Sequence, residues 1–312
     1  MEKPIFIVGI PRSGSTLWLN VFAENPNVCR IAEMHFLTPF REDFRYFIRK
    51  YVGDLNDKKN VEKMVELIFS RQRLPGITGS FWYNDMKKLL DPQLMKSIEK
   101  KVLGSDKSLG AIFKILIDET TAFRGYSRSC AKFPVFVNHV PKLIQWYPEC
   151  KVIHVIRDPR AIAMSRKNDP GGTQVKIKKY PKIGLFIRIV TIGSVMLQYV
   201  WASKLHLKYR KFQNYALFCY EDLLADPANT IKQLCEFADI DFVPEMLSPR
   251  EGQASSITGK KQKGFDKQVA THWKTVISTV EEQLIVLFTK GSMKRFEYNP
   301  WTHPLLNEKR IS

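Results

Sequence analysis

The chain has 312 residues, of which 44% are hydrophobic, 12% aromatic and 26% charged. That balance excludes a disordered or low-complexity chain and provides enough apolar surface for a large core. Its 49 Lys and Arg against 31 Asp and Glu leave a net charge of +18, which points to an anionic partner: nucleic acid, an anionic membrane or a highly charged small ligand.

The first predicted element is a strand over residues 5–9 (IFIVG), an apolar run ended by Gly and Pro as in a buried strand of a parallel sheet. A helix follows, with Leu17, Val21 and Phe22 on one face and Pro26 closing it. Between them lies Gly9-Ile-Pro-Arg-Ser-Gly-Ser-Thr16. A strand-to-helix turn gathers unpaired backbone N–H groups, and the helix N-terminus adds roughly half a positive charge. Gly9 and Gly14 let the backbone curl close to a ligand, and Ser13, Ser15 and Thr16 add hydroxyl donors. The spacing is that of a nucleotide-binding G-x-x-x-x-G-K-[ST] loop, except that Ser15 stands where the lysine belongs, which disfavours an ordinary NTPase. Arg12, permanently charged and able to fork two hydrogen bonds onto one anion, is the cation this turn offers instead.

After the first helix come Glu33 and His35, in Arg30-Ile-Ala-Glu-Met-His35. Helical spacing recurs over 60–71, and 72–85, with Pro75, Gly76, Gly79 and the pair Phe81-Trp82, reads as a loop over a site or over the core. Lys132 lies in Ala-Lys-Phe-Pro134 and His139 in Asn138-His-Val-Pro141. The apolar run 152–156 is a second predicted strand, with His154 as a core histidine, and it leads into a helix capped by Asp158 with Pro159 in its first turn. Residues 183–200 approach membrane length but carry Arg188, Gln198 and two glycines. They read as a partly buried helix, with peripheral membrane contact left open. A third strand over 216–220 precedes a helix from Asp226-Pro227 to Phe237, and Thr279 with Glu282 forms the capping box of a last helix. This alternation predicts an α/β fold: one domain over 1–312 around a mainly parallel central sheet with helices on both faces, with insertions at 35–110 and 168–210.

Three stretches resemble the PAPS-dependent sulfotransferases, which move a sulfuryl group from 3′-phosphoadenosine 5′-phosphosulfate (PAPS). Pro11-Arg-Ser-Gly-Ser-Thr-Leu17 is similar to the family's 5′-phosphosulfate loop, in the P-R-S-G-[TS]-T form of the tyrosylprotein and related branches. Val155-Ile-Arg-Asp-Pro-Arg-Ala-Ile-Ala-Met-Ser-Arg166 resembles its 3′-phosphate segment, with Arg157 and Ser165 at the matching spacing. Tyr220-Glu-Asp-Leu-Leu-Ala-Asp-Pro resembles its Y-E-D-L-x-x-D-P, in which the tyrosine borders the adenine. The resemblance implies a P-loop-like three-layer sandwich and a donor site made by Arg12, Ser13, Gly14, Ser15, Thr16, Leu17, Arg157, Ser165 and Tyr220. Residues 263–274 resemble the K-G…D-W-K segment of cytosolic sulfotransferases, which adds Lys263. Here, however, Lys263-Gly264 lies four residues farther from Trp273 and His272 replaces the aspartate.

The same resemblance implies sulfuryl transfer by in-line displacement to a hydroxyl or amine; a small-molecule acceptor is expected, with an anionic one left open. Arg12 would be an electrostatic catalyst, and Lys132 would match a K-x-P lysine near the sulfuryl group. Glu33 falls where related branches place a catalytic base, walled by Ile31, Met34 and Phe36 as a proton acceptor near neutrality requires. His139 and His35 are its competitors. PAPS is the expected co-substrate; no metal is expected, since His and Cys show no ligand spacing. Two other readings stay open: a P-loop kinase or NTPase, and a basic nucleic-acid-binding module, although no RNP, zinc-finger or helix-turn-helix pattern occurs. A sulfotransferase acting on a glycan or tyrosyl peptide is a further alternative. Five cysteines without CxxC spacing and the absence of a signal-like N-terminus lead to the expectation of a cytoplasmic protein.

Overall fold

The computed structural model describes residues 3–31, 33–34, 36–37, 43–70, 91–250, 253–254, 261–262 and 264–299. The chain divides into two compact units, Met1–Val8 with Pro26–Val152, and Gly9–Asn25 with Ile153–Ser312. His35, Lys263 and the loop expected at 72–85 lie outside the described residues.

The strands that carry the fold are β1 (Ile5–Gly9), β2 (Val28–Ile31), β3 (Arg128–Lys132), β4 (Lys151–Ile156) and β5 (Tyr215–Cys219), in the sheet order β2-β3-β1-β4-β5. β3 pairs in parallel with β2 and with β1. The fold is α/β, with a mainly parallel sheet. Every residue of β1 is buried, as expected for a strand covered on both faces, where alternation disappears.

In the first unit the chain forms α2 (Asp43–Phe47), α3 (Lys58–Phe69), α4 (Pro92–Leu103), α5 (Leu109–Phe123) and α6 (Val140–Trp146). Asp57, Asp91 and Ser108 cap α3, α4 and α5 by accepting from first-turn N–H groups. Phe113 of α5 is fully buried, with its ring centroid 6.0 Å from Phe6, 5.1 Å from Phe36, 6.0 Å from Phe133 and 5.0 Å from Trp146. One phenyl group thus ties β1, the residue after β3 and α6 to α5.

The second unit holds α1 (Ser15–Phe22), α7 (Pro159–Lys167), α8 (Thr173–Lys179), α9 (Gly184–Tyr209), α10 (Tyr220–Ala225), α11 (Pro227–Ala238) and α12 (Thr279–Arg295), with a small antiparallel pair β6 (Gln253–Ala254) and β7 (Lys261–Gln262). Its core is built from Ile156, Ile162, Met164, Val195, Tyr199, Trp273, Ile285 and Phe296. Asp158 and Asp226 cap α7 and α11, each followed by proline, as the sequence predicts. Two boundaries differ. The third strand ends at Cys219, so Tyr220 opens α10 rather than closing β5. The capping box of α12 is Ser278 with Glu281, one residue before the expected Thr279 and Glu282; both pairs have the same spacing, and the one whose first member keeps an extended backbone takes the role.

Candidate active site

β1 and β4 are neighbours in the sheet, so the turns that leave their carboxyl ends converge within the second unit, the usual place for a ligand in such a sheet. Two glycines shape the first turn. A side chain at Gly9 would lie 2.5 Å from the Val155 carbonyl oxygen, and one at Gly14 would lie 2.2 Å from Cδ2 of Tyr220. Gly14 also holds φ 93° as the N-cap of α1, a conformation that glycine adopts without strain. Arg12 shares the left-handed region at φ 80° although it carries a side chain. Such a residue persists where its surroundings over-determine it, which happens at functional sites.

Arg12 Nε donates to Ser165 Oγ at 3.0 Å, so the arginine of the first motif and the serine of the second meet. Arg157 stacks its guanidinium 4.3 Å from the centre of the Tyr220 ring and donates to the carbonyls of Val269 (3.1 Å) and Arg12 (3.5 Å). The three motifs of the sequence therefore form one cluster. Tyr220 is 2% exposed and packs between the loop glycine and Arg157, so it forms the wall behind the turn.

A buried polar network holds the second turn. Asp158 accepts from the N–H of Arg160 and forms an ion pair with its guanidinium at 2.8 Å. Arg160 also pairs with Glu282 at 2.7 Å and lies 4.3 Å over the Trp273 ring. Glu221 accepts from the Asp158 N–H at 3.0 Å and from the Cys219 thiol at 3.0 Å, and burial pushes its carboxyl above the usual range. Residues 267–275 thus do reach the β4–α7 junction, through the Val269 carbonyl and the Trp273 ring.

Two donors at the turn, Ser13 Oγ and Arg157 Nε, are buried without a hydrogen-bond partner among the described residues. Orphaned donors beside a helix N-terminus fit a polyanionic ligand. Arg166 strengthens this. It donates to the Pro11 carbonyl (3.4 Å) and to Gln198 (2.7 Å), and burial together with the Arg12 charge pushes its pKa down to about 10. Two guanidiniums that raise each other's energy mark a place where a doubly charged anion is favoured. In the sequence the only sign of Arg166 is its adjacency to Ser165. Thr16 is exposed, while Ser15 and Leu17 are buried, and the Leu17 N–H is taken by the Gly14 carbonyl at 2.8 Å.

The remaining candidates belong to the first unit. Ile31 of β2 lies opposite Ala131 of β3, so the chain leaving β2 runs beside the end of β3. There Glu33 and Lys132 form an ion pair at 2.8 Å, with 27% and 17% of their side chains exposed. Ile31, Met34 and Phe36, its neighbours in sequence, are buried. His139 ends the 3-10 turn Pro134–His139, half-buried and edge-on to Phe136 at 6.4 Å. His154 is a core residue: its Nδ1 lies 2.6 Å from the Tyr215 hydroxyl, and burial pushes its pKa down to about 3. Among the described residues no cluster of His, Cys, Asp and Glu is arranged to hold a metal ion.

The sequence model described as "Sulfotransferase family" matches residues 4–244, which include all of the residues above from Arg12 to Tyr220. The chain belongs to the sulfotransferase family. Rat Sulfotransferase 2A1 is 30% identical over 101 residues, 32% of this chain and 35% of that protein. An uncharacterized protein of Aquifex aeolicus (strain VF5) is 22% identical over 276 residues, 88% of this chain and 30% of that one. The chain thus matches only 30% and 35% of the length of these curated relatives. Among solved structures, the sulfotransferase domain from the Synechococcus PCC 7002 olefin synthase superposes with a TM-score of 0.59 at 18% identity, covering 96% of this chain and 97% of that one. The sulfotransferase domain from the curacin biosynthetic pathway gives 0.54 at 19% identity, covering 96% and 99%. These likenesses establish the sulfotransferase fold.

Proposed function

We propose that the protein is a PAPS-dependent sulfotransferase acting on a hydroxyl or amine acceptor. The observation that carries this reading is the cluster of Arg12, Ser165, Arg157 and Tyr220 around a lysine-free phosphate-type loop whose buried Ser13 and Arg157 donors are left to a ligand. PAPS bound there supplies a sulfuryl group joined to its 5′-phosphate through a bridging oxygen.

Arg12 and the α1 N-terminus stabilise the charge that grows on that phosphate as the sulfur–oxygen bond breaks; the arginine's role is electrostatic. Arg157 and Ser165 hold the 3′-phosphate. Glu33 takes the proton from the acceptor as the new bond to sulfur forms, and Lys132, its ion-pair partner, delivers a proton to the departing bridging oxygen. The reading extends to a cytoplasmic setting, supported by five cysteines that all remain free thiols.

The test is transfer from radiolabelled PAPS across a panel of alcohols, phenols, amines, sugars and tyrosyl peptides. Arg12→Ala and Glu33→Gln should each lower kcat by roughly 10²- to 10³-fold against any acceptor that is used. Near-normal turnover of Glu33→Gln would move the base to His139 or His35.

A further inference from the structure

The long helix α9 has two apolar sides. One side packs Ile192, Val195, Tyr199, Ala202, Leu205 and Tyr209 into its own unit. The opposite side leaves Phe186 at 64% and Leu197 at 73% exposure, and beside it, near the start of the helix, Ile189 is 60% and Leu185 73% exposed. By length and composition the segment Pro181–Tyr209 is apolar enough to cross a membrane. Its C-terminal half packs into the unit and buries the polar Ser203 and His206, while Leu185, Phe186, Ile189 and Val190 near its start stay exposed.

The charge along this stretch of chain is one-sided. Between Asp169 and Glu221 the chain has no Asp or Glu and nine Lys and Arg. Lys176, Lys178 and Lys179 on α8, Lys182 in the following turn and Arg188 on α9 are exposed, at the same end of α9 as Leu185, Phe186 and Ile189. Tyr180 and Trp201, half exposed, are of the type that settles at the boundary between headgroups and hydrocarbon. Helix α12, which packs against α9, adds exposed Val280, Leu284, Leu287 and Phe288.

We propose that α8 and the N-terminal half of α9 form a docking surface for an anionic lipid bilayer, with Leu185, Phe186 and Ile189 entering the headgroup–acyl boundary and the lysines meeting lipid phosphates. Charge complementarity selects this occupant. A second copy placed on the same face would bring two acid-free, lysine-rich surfaces together, and a nucleic acid would leave the aliphatic row without an apolar partner. An apolar row inside a basic border matches an interfacial helix. The proposal does not depend on the reaction catalysed.

The full chain should float with vesicles of phosphatidylcholine mixed with phosphatidylglycerol, and at least roughly tenfold less with phosphatidylcholine alone, the difference shrinking with salt. Phe186→Glu with Ile189→Glu, and separately Lys178→Glu with Lys182→Glu, should each reduce flotation roughly tenfold or more without changing the melting shift produced by adenosine 3′,5′-bisphosphate. If the apolar variant fails to fold, the lysine variant and the salt series decide. The proposal is overturned if the wild type stays with the unbound fraction, if both variants float undiminished, or if sedimentation shows a dimer that the Phe186 and Ile189 substitutions dissociate.

Discussion

Arg12 holds a backbone conformation that costs a side-chain-bearing residue roughly 1–2 kcal/mol, and it holds it at φ 80° with its Nε on Ser165. If that strain is kept for catalysis, Arg12→Gly should not lower the melting temperature, while kcat falls roughly 10²- to 10³-fold. A fall in both would mean that the arginine is structural. Tyr215 is a second residue with a definite prediction: its hydroxyl meets Nδ1 of His154 at 2.6 Å and of His206 at 3.0 Å, so it donates to one ring and accepts from the other, with both imidazoles neutral. Burial lowers the pKa of both rings, that of His154 from 6.5 to about 3. Between those two values the unfolded chain binds more protons than the folded one. Stability from this site is therefore complete above the unfolded pKa and lost as pH falls toward 3, by up to about 1.4 kcal/mol per pH unit for His154. Denaturant melts between pH 7 and 4 should show that slope, and His154→Gln should flatten it. Of the candidate residues, Arg12, Arg157 and Ser165 were legible because a fixed spacing carries their chemistry. Arg166 and the Glu33–Lys132 pair needed the fold, since nothing local to residues 33 or 132 says that β2 and β3 are adjacent.

Three strand-to-helix junctions organise the elements, and a buried charge network joins two of them. Glu221, opening α10 after β5, accepts the N–H of Asp158, which in turn caps α7 after β4 and pairs with Arg160. Arg160→Met would leave Asp158 buried without its cation, and should cost on the order of 3–5 kcal/mol in denaturant unfolding; a loss below 1 kcal/mol would show that the network is solvated. Gly14→Ala acts at the turn that opens α1. Its side chain would fall 2.2 Å from the Tyr220 ring, at φ 93°, so the variant should bind adenosine 3′,5′-bisphosphate at least roughly tenfold more weakly even where it folds. The strands β1, β4 and β5 were legible as uninterrupted apolar runs. Arg128-Ser-Cys-Ala-Lys132 and the four residues of β2 were not: they are short and partly polar, and only their pairing with neighbours makes them strands. Helix α9 was legible in existence, but the division of its apolar residues between core and solvent is decided by what packs against it.

At the scale of the molecule, the net charge of +18 divides into two uses. Arg12, Arg157 and Arg166 gather at the turns after β1 and β4, where a donor with several phosphate charges would sit; Lys176, Lys178, Lys179, Lys182 and Arg188 are exposed along α8 and the start of α9. The α/β class followed from alternation alone, whereas the division into two interleaved units depends on contacts between residues more than a hundred positions apart and left no mark in composition. On the proposed function, the turn after β1 holds a 3′,5′-phosphorylated adenosine without the lysine and metal on which nucleotide kinases depend. The most direct measurement is the thermal shift produced by adenosine 3′,5′-bisphosphate in the presence of a metal chelator, beside that produced by ATP with Mg²⁺, for the wild type and for Arg157→Ala. The bisphosphate should raise the melting temperature of the wild type and leave Arg157→Ala nearly unmoved, with little effect from ATP. Stabilisation by ATP with Mg²⁺ and none by the bisphosphate would contradict the account.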